Sequence, residues 1–275
     1  MSLLVATGLR AEARVLAGPG VRTVAGGGRS AALEAALAAA APKASAIISI
    51  GLGGGLVGDL RPGDWVVAEA VIEGTAETPP QSASLTAPPQ AVEHLDAKIL
   101  HREAGEVDPA EGGRRRGRSA HAITLPTDAA WTRALTERLP GARRGVLLGS
   151  DAMLTAVAEK ARARVEWGAL AVDMESHVAA RVARRFGLRF AAARVISDGA
   201  DRALPAAVRA GLRDDGGMDA AAVVAGLARD PLQIPALIRT GWEAARAMRS
   251  LAEGRRLLGP GLGLANLLEL PLDMA

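Results

Sequence analysis

Cysteine and tyrosine are absent from the 275 residues, and aromatic residues make up only 2% of them. Lysine occurs at just three positions, Lys43, Lys98 and Lys160. Without cysteine there is no disulfide and no thiolate metal site. The four histidines (His94, His101, His121 and His177) lack the spacing of metal ligands, so neither a metal nor a cofactor is expected. With so few rings, any site for a nucleobase has little to stack on. No segment reaches the ~20 apolar residues needed to span a bilayer. The sequence isoelectric point of about 10.1 suggests a nucleic-acid partner, but the net charge is only +3. Arginine carries nearly all the positive charge, and few groups titrate between neutrality and pH ~10. A small excess of arginine therefore moves the isoelectric point far up, and no nucleic-acid partner is expected.

What is present is an α/β pattern, in a chain that is 49% hydrophobic and 23% charged. Apolar runs at Leu3–Thr7, Val21–Ala25, Ala46–Ile50, Trp65–Ala70, Gly145–Leu148, Leu170–Val172 and Phe190–Ile196 read as buried strands. Helix-forming stretches lie between them, at Arg29–Ala40, Ala129–Leu139, Ala156–Val165 and Glu175–Phe186. This alternation predicts one domain over 1–275 with a central mixed, largely parallel twisted sheet flanked by helices. Composition shifts at about 75–120, where Pro79-Pro80, Pro88-Pro89 and the run Arg114-Arg115-Arg116 read as an inserted, flexible excursion. From Pro205 to Ala275 the chain reads as a helical extension with a long amphipathic stretch, Ile234–Leu251. The start, Met1-Ser2-Leu3-Leu4-Val5, reads as strand and not as a signal peptide. A cytoplasmic protein is expected, with peripheral contact at the inner membrane face.

Two acidic segments stand at strand ends, where open α/β folds bind ligands. They are Val172-Asp173-Met174-Glu175-Ser176 and Arg194-Val195-Ile196-Ser197-Asp198. Two carboxylates there can divide the work on one small molecule, one binding hydroxyls and the other transferring a proton. Each has a bland alternative. Asp198 reads equally as a turn or N-cap aspartate, and Glu175 as a residue of a helix cap. Glu12 reads equally as a first-turn glutamate favoured by the helix dipole. The glycines Gly51-Leu52-Gly53-Gly54-Gly55 read as a loop closing a strand, able to cradle an anion or a sugar hydroxyl. His177 reads as structural.

Taken together, these motifs resemble the nucleoside phosphorylase and nucleosidase superfamily, over roughly 3–74 and 125–201. Within it the chain is most similar to methylthioadenosine/adenosylhomocysteine nucleosidases. The resemblance implies that Glu175, with Met174, holds the ribose, and that Asp198, beside Ser197, protonates the purine N7. It implies that Glu12 activates water, that Gly53 and Gly54 lie under the ribose, and that Met153 lies beside the base. Phosphorylases of the superfamily place an arginine and a serine where this chain has Ser49 and Leu52, which leaves Arg10 and Arg29 as candidate phosphate ligands. Water and phosphate both stay open as nucleophile. The excursion, the tail and the helix after Ile234 resemble the hopanoid-associated phosphorylase group. That implies adenosylhopane as substrate, adenine as product, a lipid-linked nucleoside as partner, and a homo-oligomer, with a dimer favoured. A purine nucleoside phosphorylase or a nucleosidase acting on a soluble nucleoside is the alternative of the same fold. A non-catalytic nucleoside- or lipid-binding protein is the alternative of another class.

Overall fold

The computed structural model describes residues 2–74 and 123–264, apart from 212, 214, 215 and 218. The excursion at 75–120, with its arginine run, and the end of the tail lie outside the described residues. The first part of the chain alternates β1 (Ser2–Thr7), α1 (Arg10–Leu16), β2 (Val21–Ala25), α2 (Ser30–Ala40) and β3 (Ala44–Gly55). The middle runs β4 (Trp65–Glu73), β5 (Ile123–Pro126), α3 (Ala129–Arg138), β6 (Arg143–Gly149), α4 (Val157–Trp167), β7 (Ala171–Asp173), α5 (Ser176–Phe186) and β8 (Arg189–Asp198). Three helices follow: α6 (Ala206–Gly211), α7 (Ala220–Arg229) and α8 (Ile234–Leu258). Local chemistry sets several of these boundaries. Asp128 caps α3 by accepting from the Trp131 N–H at 2.8 Å, and Asp219 caps α7 through Ala222 at 3.0 Å.

The sheet is mixed and largely parallel, as expected. Strand β1 lies between β2 and β3, parallel to both. Strand β3 runs parallel to β8, β8 antiparallel to β4, β4 parallel to β6, and β6 parallel to β7. Strand β7 then returns antiparallel to the end of β3. These five strands close a ring, which the sequence pattern does not reveal. β3 makes closure possible by its length: its first half pairs with β1, and only Gly54 and Gly55 reach β7.

This corrects the reading of Gly51–Gly55 as a loop, because these residues are the end of β3. Their glycines serve close approach. A Cβ on Gly51 would sit 3.0 Å from the Glu12 carboxylate, and one on Gly54 would sit 3.4 Å from Asp198 Oδ2. At these two positions an added side chain would run into a carboxylate.

The core has two faces, and β1 shows the period-2 alternation that separates them. Leu4 and Ala6 join Leu33 and Leu37 of α2 and Val178 and Val182 of α5. Leu3 and Val5 join Trp131 and Leu135 of α3 and Ala247, Leu251 and Leu258 of α8. Leu262 and Leu264, two of the tail leucines, are buried in this second cluster. Trp131 Nε1 donates to the Leu262 carbonyl at 2.9 Å. These two leucines thus pack on the core.

Helix α8 has two halves. Its C-terminal half buries Ala247, Leu251, Gly254 and Leu258, at i, i+4, i+7 and i+11. Its N-terminal half leaves the core and overhangs the end of the sheet where the acidic segments lie. No single described helix is long and apolar enough to cross a membrane.

Candidate active site

A cavity of about 430 Å³ opens beside the ends of β3, β7 and β8. Its lining includes Glu12, Gly53, Gly54, Met153, Met174, Glu175, Ser197 and Asp198. The sequence-predicted residues are therefore brought to one place, from segments far apart in the chain. Arg10 and Arg29 are not among the lining residues; both belong to the exposed surface.

Each carboxylate has a different setting. Glu12, in the first turn of α1, is buried. Its Oε2 accepts from the Gly8 and Leu9 N–H groups at 2.8 and 2.7 Å, and its Oε1 accepts from Leu52 N–H at 2.7 Å. It therefore caps its own helix and also spans to β3. Burial raises its pKa above the ordinary glutamate value, against the pull of those N–H groups and Arg194. Between Glu12 and β3 there is no spare room. Gly51→Ala should displace the carboxylate and cost about 1–3 kcal/mol as overpacking. Thermal denaturation, together with turnover of a substrate, checks this: both should fall.

Glu175 stands where α5 begins, but the capping is done by Asp173. Asp173 Oδ1 accepts from the Glu175 and Ser176 N–H groups at 2.8 and 2.6 Å. The Glu175 side chain makes no capping bond and lines the cavity. Arg194, fully buried in the middle of β8, lies beneath both. It donates to Asp173 Oδ1 at 2.8 Å and to Ser49 Oγ at 2.6 Å, and lies 3.5 Å from Glu175 Oε2. Burial alone would raise the Asp173 pKa, but the Arg194 guanidinium and the two N–H groups outweigh it and hold it low. For Glu175 the balance is reversed. Burial, with Asp173 and Glu12 nearby, outweighs Arg194 and pushes Glu175 up to about 8. Burial thus works against the ionisation of Glu175, and Arg194 beneath it works in favour.

Asp198, the last residue of β8, caps no helix. Its Oδ1 accepts from Ser197 Oγ at 2.6 Å, and its Oδ2 is ion-paired with Lys160 of α4. Met174 and Met153 supply apolar surface in place of rings. The far wall is apolar and comes from after β8: Leu204, Val208 of α6, and Leu237, Gly241 and Ala244 of α8.

Sequence reasoning did not foresee Arg194 and Lys160. A charged residue at the centre of the apolar strand Phe190–Ile196 is a readable signal, because arginine is almost never fully buried unless paired. Lys160 sits among charged neighbours in α4 and reads as a solvated face.

The phosphorylase superfamily model matches residues 5–230. The chain belongs to the phosphorylase superfamily. No curated protein sequence matches it. Among solved structures, the fold is similar to a Helicobacter pylori methylthioadenosine nucleosidase variant with 5'-methylthioadenosine in its active site. The TM-score is 0.52 at 15% identity, covering 83% of this chain and 98% of that one. A Streptococcus pneumoniae MTA/SAH nucleosidase in complex with 8-aminoadenine gives a TM-score of 0.52 at 17% identity, covering 82% and 99%. Futalosine hydrolase of Helicobacter pylori gives 0.51 at 17% identity, covering 92% and 97%. These likenesses show a shared fold. In this phosphorylase-superfamily chain, three carboxylates, Glu12, Glu175 and Asp198, line one cavity.

Proposed function

We propose that the protein cleaves the N-glycosidic bond of a 5'-substituted adenosine and releases adenine. The observation that carries this reading is the meeting of Asp198, Glu175 and Glu12 around one cavity. Bond breaking leaves an oxocarbenium-like sugar, and adenine departs as a neutral base only if N7 gains a proton. Asp198 supplies that proton. Glu175 binds the 2' and 3' hydroxyls, and its negative charge grows in value as the sugar becomes positive. Glu12 orients water at C1'. Membership of the phosphorylase superfamily, and the 5'-methylthioadenosine and 8-aminoadenine bound by the similar nucleosidases, support adenine chemistry. Gly53 and Gly54 give the sugar a side-chain-free floor, and Met153, Met174 and Ser197 complete the pocket.

Water is favoured over phosphate, because Glu12 is buried at the cavity and Ser49 and Leu52 stand where phosphorylases of the superfamily place an arginine and a serine. Adenine release from 5'-methylthioadenosine should proceed in phosphate-free buffer and give free sugar. Strict phosphate dependence, with a sugar 1-phosphate as product, overturns the water route.

The 5' group is apolar in this reading. Leu204, Val208, Leu237 and Ala244 wall the cavity, and such a wall favours a long hydrocarbon over a charged tail. The resemblance to the hopanoid-associated group makes adenosylhopane the specific proposal. The outer face of the same helical wall suits a lipid surface: Leu232, Ile238 and Trp242 are 89%, 57% and 72% exposed. Arg229 and Arg239 are exposed beside them, and basic residues add about 1 kcal/mol each against anionic lipid. Adenosine bearing a long 5' alkyl chain should give a higher kcat/KM than 5'-methylthioadenosine, and the protein should sediment with anionic vesicles. Preference for the small substrate, with no vesicle binding, leaves a nucleosidase of soluble nucleosides.

A further inference from the structure

Lys160 is buried completely, although α4 is a polar helix. Its ammonium has three N–H donors and meets three acceptors. One is Asp198 Oδ2; the others are the carbonyls of Gly199 and Arg202, each at 2.9 Å. A tetrahedral ammonium is saturated by this set, whereas the planar fork of arginine would not match it. The lysine therefore ties the end of β8 to the loop that follows it. The other charged groups about Asp198 are Asp201 and Arg202 in that loop, and Glu12 and Glu175, with Arg194 beneath, on the cavity wall.

We propose that Lys160 is a positioning residue for Asp198: it holds Oδ2 out of the reaction, so that Oδ1 faces the leaving base. This inference rests on the cleavage reading above. In the step it serves, Asp198 first takes a proton from solvent onto Oδ1; that Oδ1–H bond then breaks as an N7–H bond forms. The electron pair stays on the Asp198 carboxylate, where the adjacent ammonium stabilises it. Lys160 keeps all its own protons throughout. Ser197 can donate to Oδ1 once the proton has gone, or to the Gly53 carbonyl at 3.2 Å before it.

A merely structural lysine would affect every substrate alike, whereas a positioning lysine matters only when the leaving group needs a proton. The test compares Lys160→Met with the parent on two compounds. These are 5'-methylthioadenosine, whose adenine must be protonated, and 4-nitrophenyl ribofuranoside, whose phenolate leaves unassisted. We expect turnover of the first to fall about 100-fold, within the range of a lost general acid, and turnover of the second to stay within about threefold. Equal losses on both, or an unchanged rate on the nucleoside, overturn the proposal. If Lys160→Met does not fold, Lys160→Gln, which keeps two donors without the charge, takes its place. Failure of both variants to fold makes Lys160 a residue of the fold alone and likewise overturns the proposal. A parent protein that releases neither leaving group overturns the cleavage reading itself, and this inference with it.

Discussion

Asp198→Asn should lower the turnover of an adenine nucleoside by roughly 10²–10⁴-fold, the usual worth of general acid catalysis. The amide keeps the size of the carboxyl and can still hydrogen-bond to the base, but it has no proton to deliver to N7. Substrate binding should change much less than kcat. Lys160 would then face a carbonyl oxygen or an amide nitrogen in place of its ion-pair partner. Some loss of stability is expected as well, so the variant's Tm has to be measured alongside its rate. Near-parental turnover by a folded variant would remove Asp198 from the acid role.

Glu175→Gln is the second large effect, and it should move activity and stability in opposite directions. A charge-assisted hydrogen bond to the sugar hydroxyls is lost, at a cost of about 10²–10³-fold in kcat by analogy with other electrostatic contacts that strengthen in the transition state. The pKa of Glu175 is raised, by burial first, from 4.5 to about 8. The folded state therefore binds more protons than the unfolded one between those values, and stability falls as pH rises through that window. Glutamine cannot ionise, so the variant escapes this loss. Its Tm relative to the parent should be higher at pH 8 than at pH 5, by about 2–4 °C for each kcal/mol. A Tm difference that does not depend on pH would mean that folding does not raise the pKa of Glu175. A 2'-deoxy substrate should be poor with the parent and little further impaired by the mutation; independent losses would show that Glu175 does not touch that hydroxyl.

Strand and helix periods were legible because most strands here are buried on both faces and read as apolar runs: β1, β3 and β8 are examples. The carboxylates were legible by position, each at a strand end or a first helical turn. Two kinds of information were not. Ring closure depends on β7 pairing with both β6 and β3; the run Leu170–Val172 announces a strand but not its partners. The partners of the carboxylates come from elsewhere in the chain: Lys160 lies 38 residues before Asp198, and Arg194 lies 21 after Asp173. Such pairings need the fold to be known. The glycines of β3 misled for a related reason, since a strand without side chains resembles a loop until its neighbours are in place.

The position of β8 has a consequence for how this protein is made. β8 is the last strand among the described residues, yet it lies between β3 and β4, strands that leave the ribosome more than a hundred residues earlier. A nascent chain must therefore hold two unpaired edges open until residue 198 emerges, and unpaired edges invite aggregation. The ring can close only once β8 has been made. Truncations before β8 should accumulate as insoluble protein, whereas the cavity wall built from α6 to α8 arrives afterwards, over a scaffold already closed.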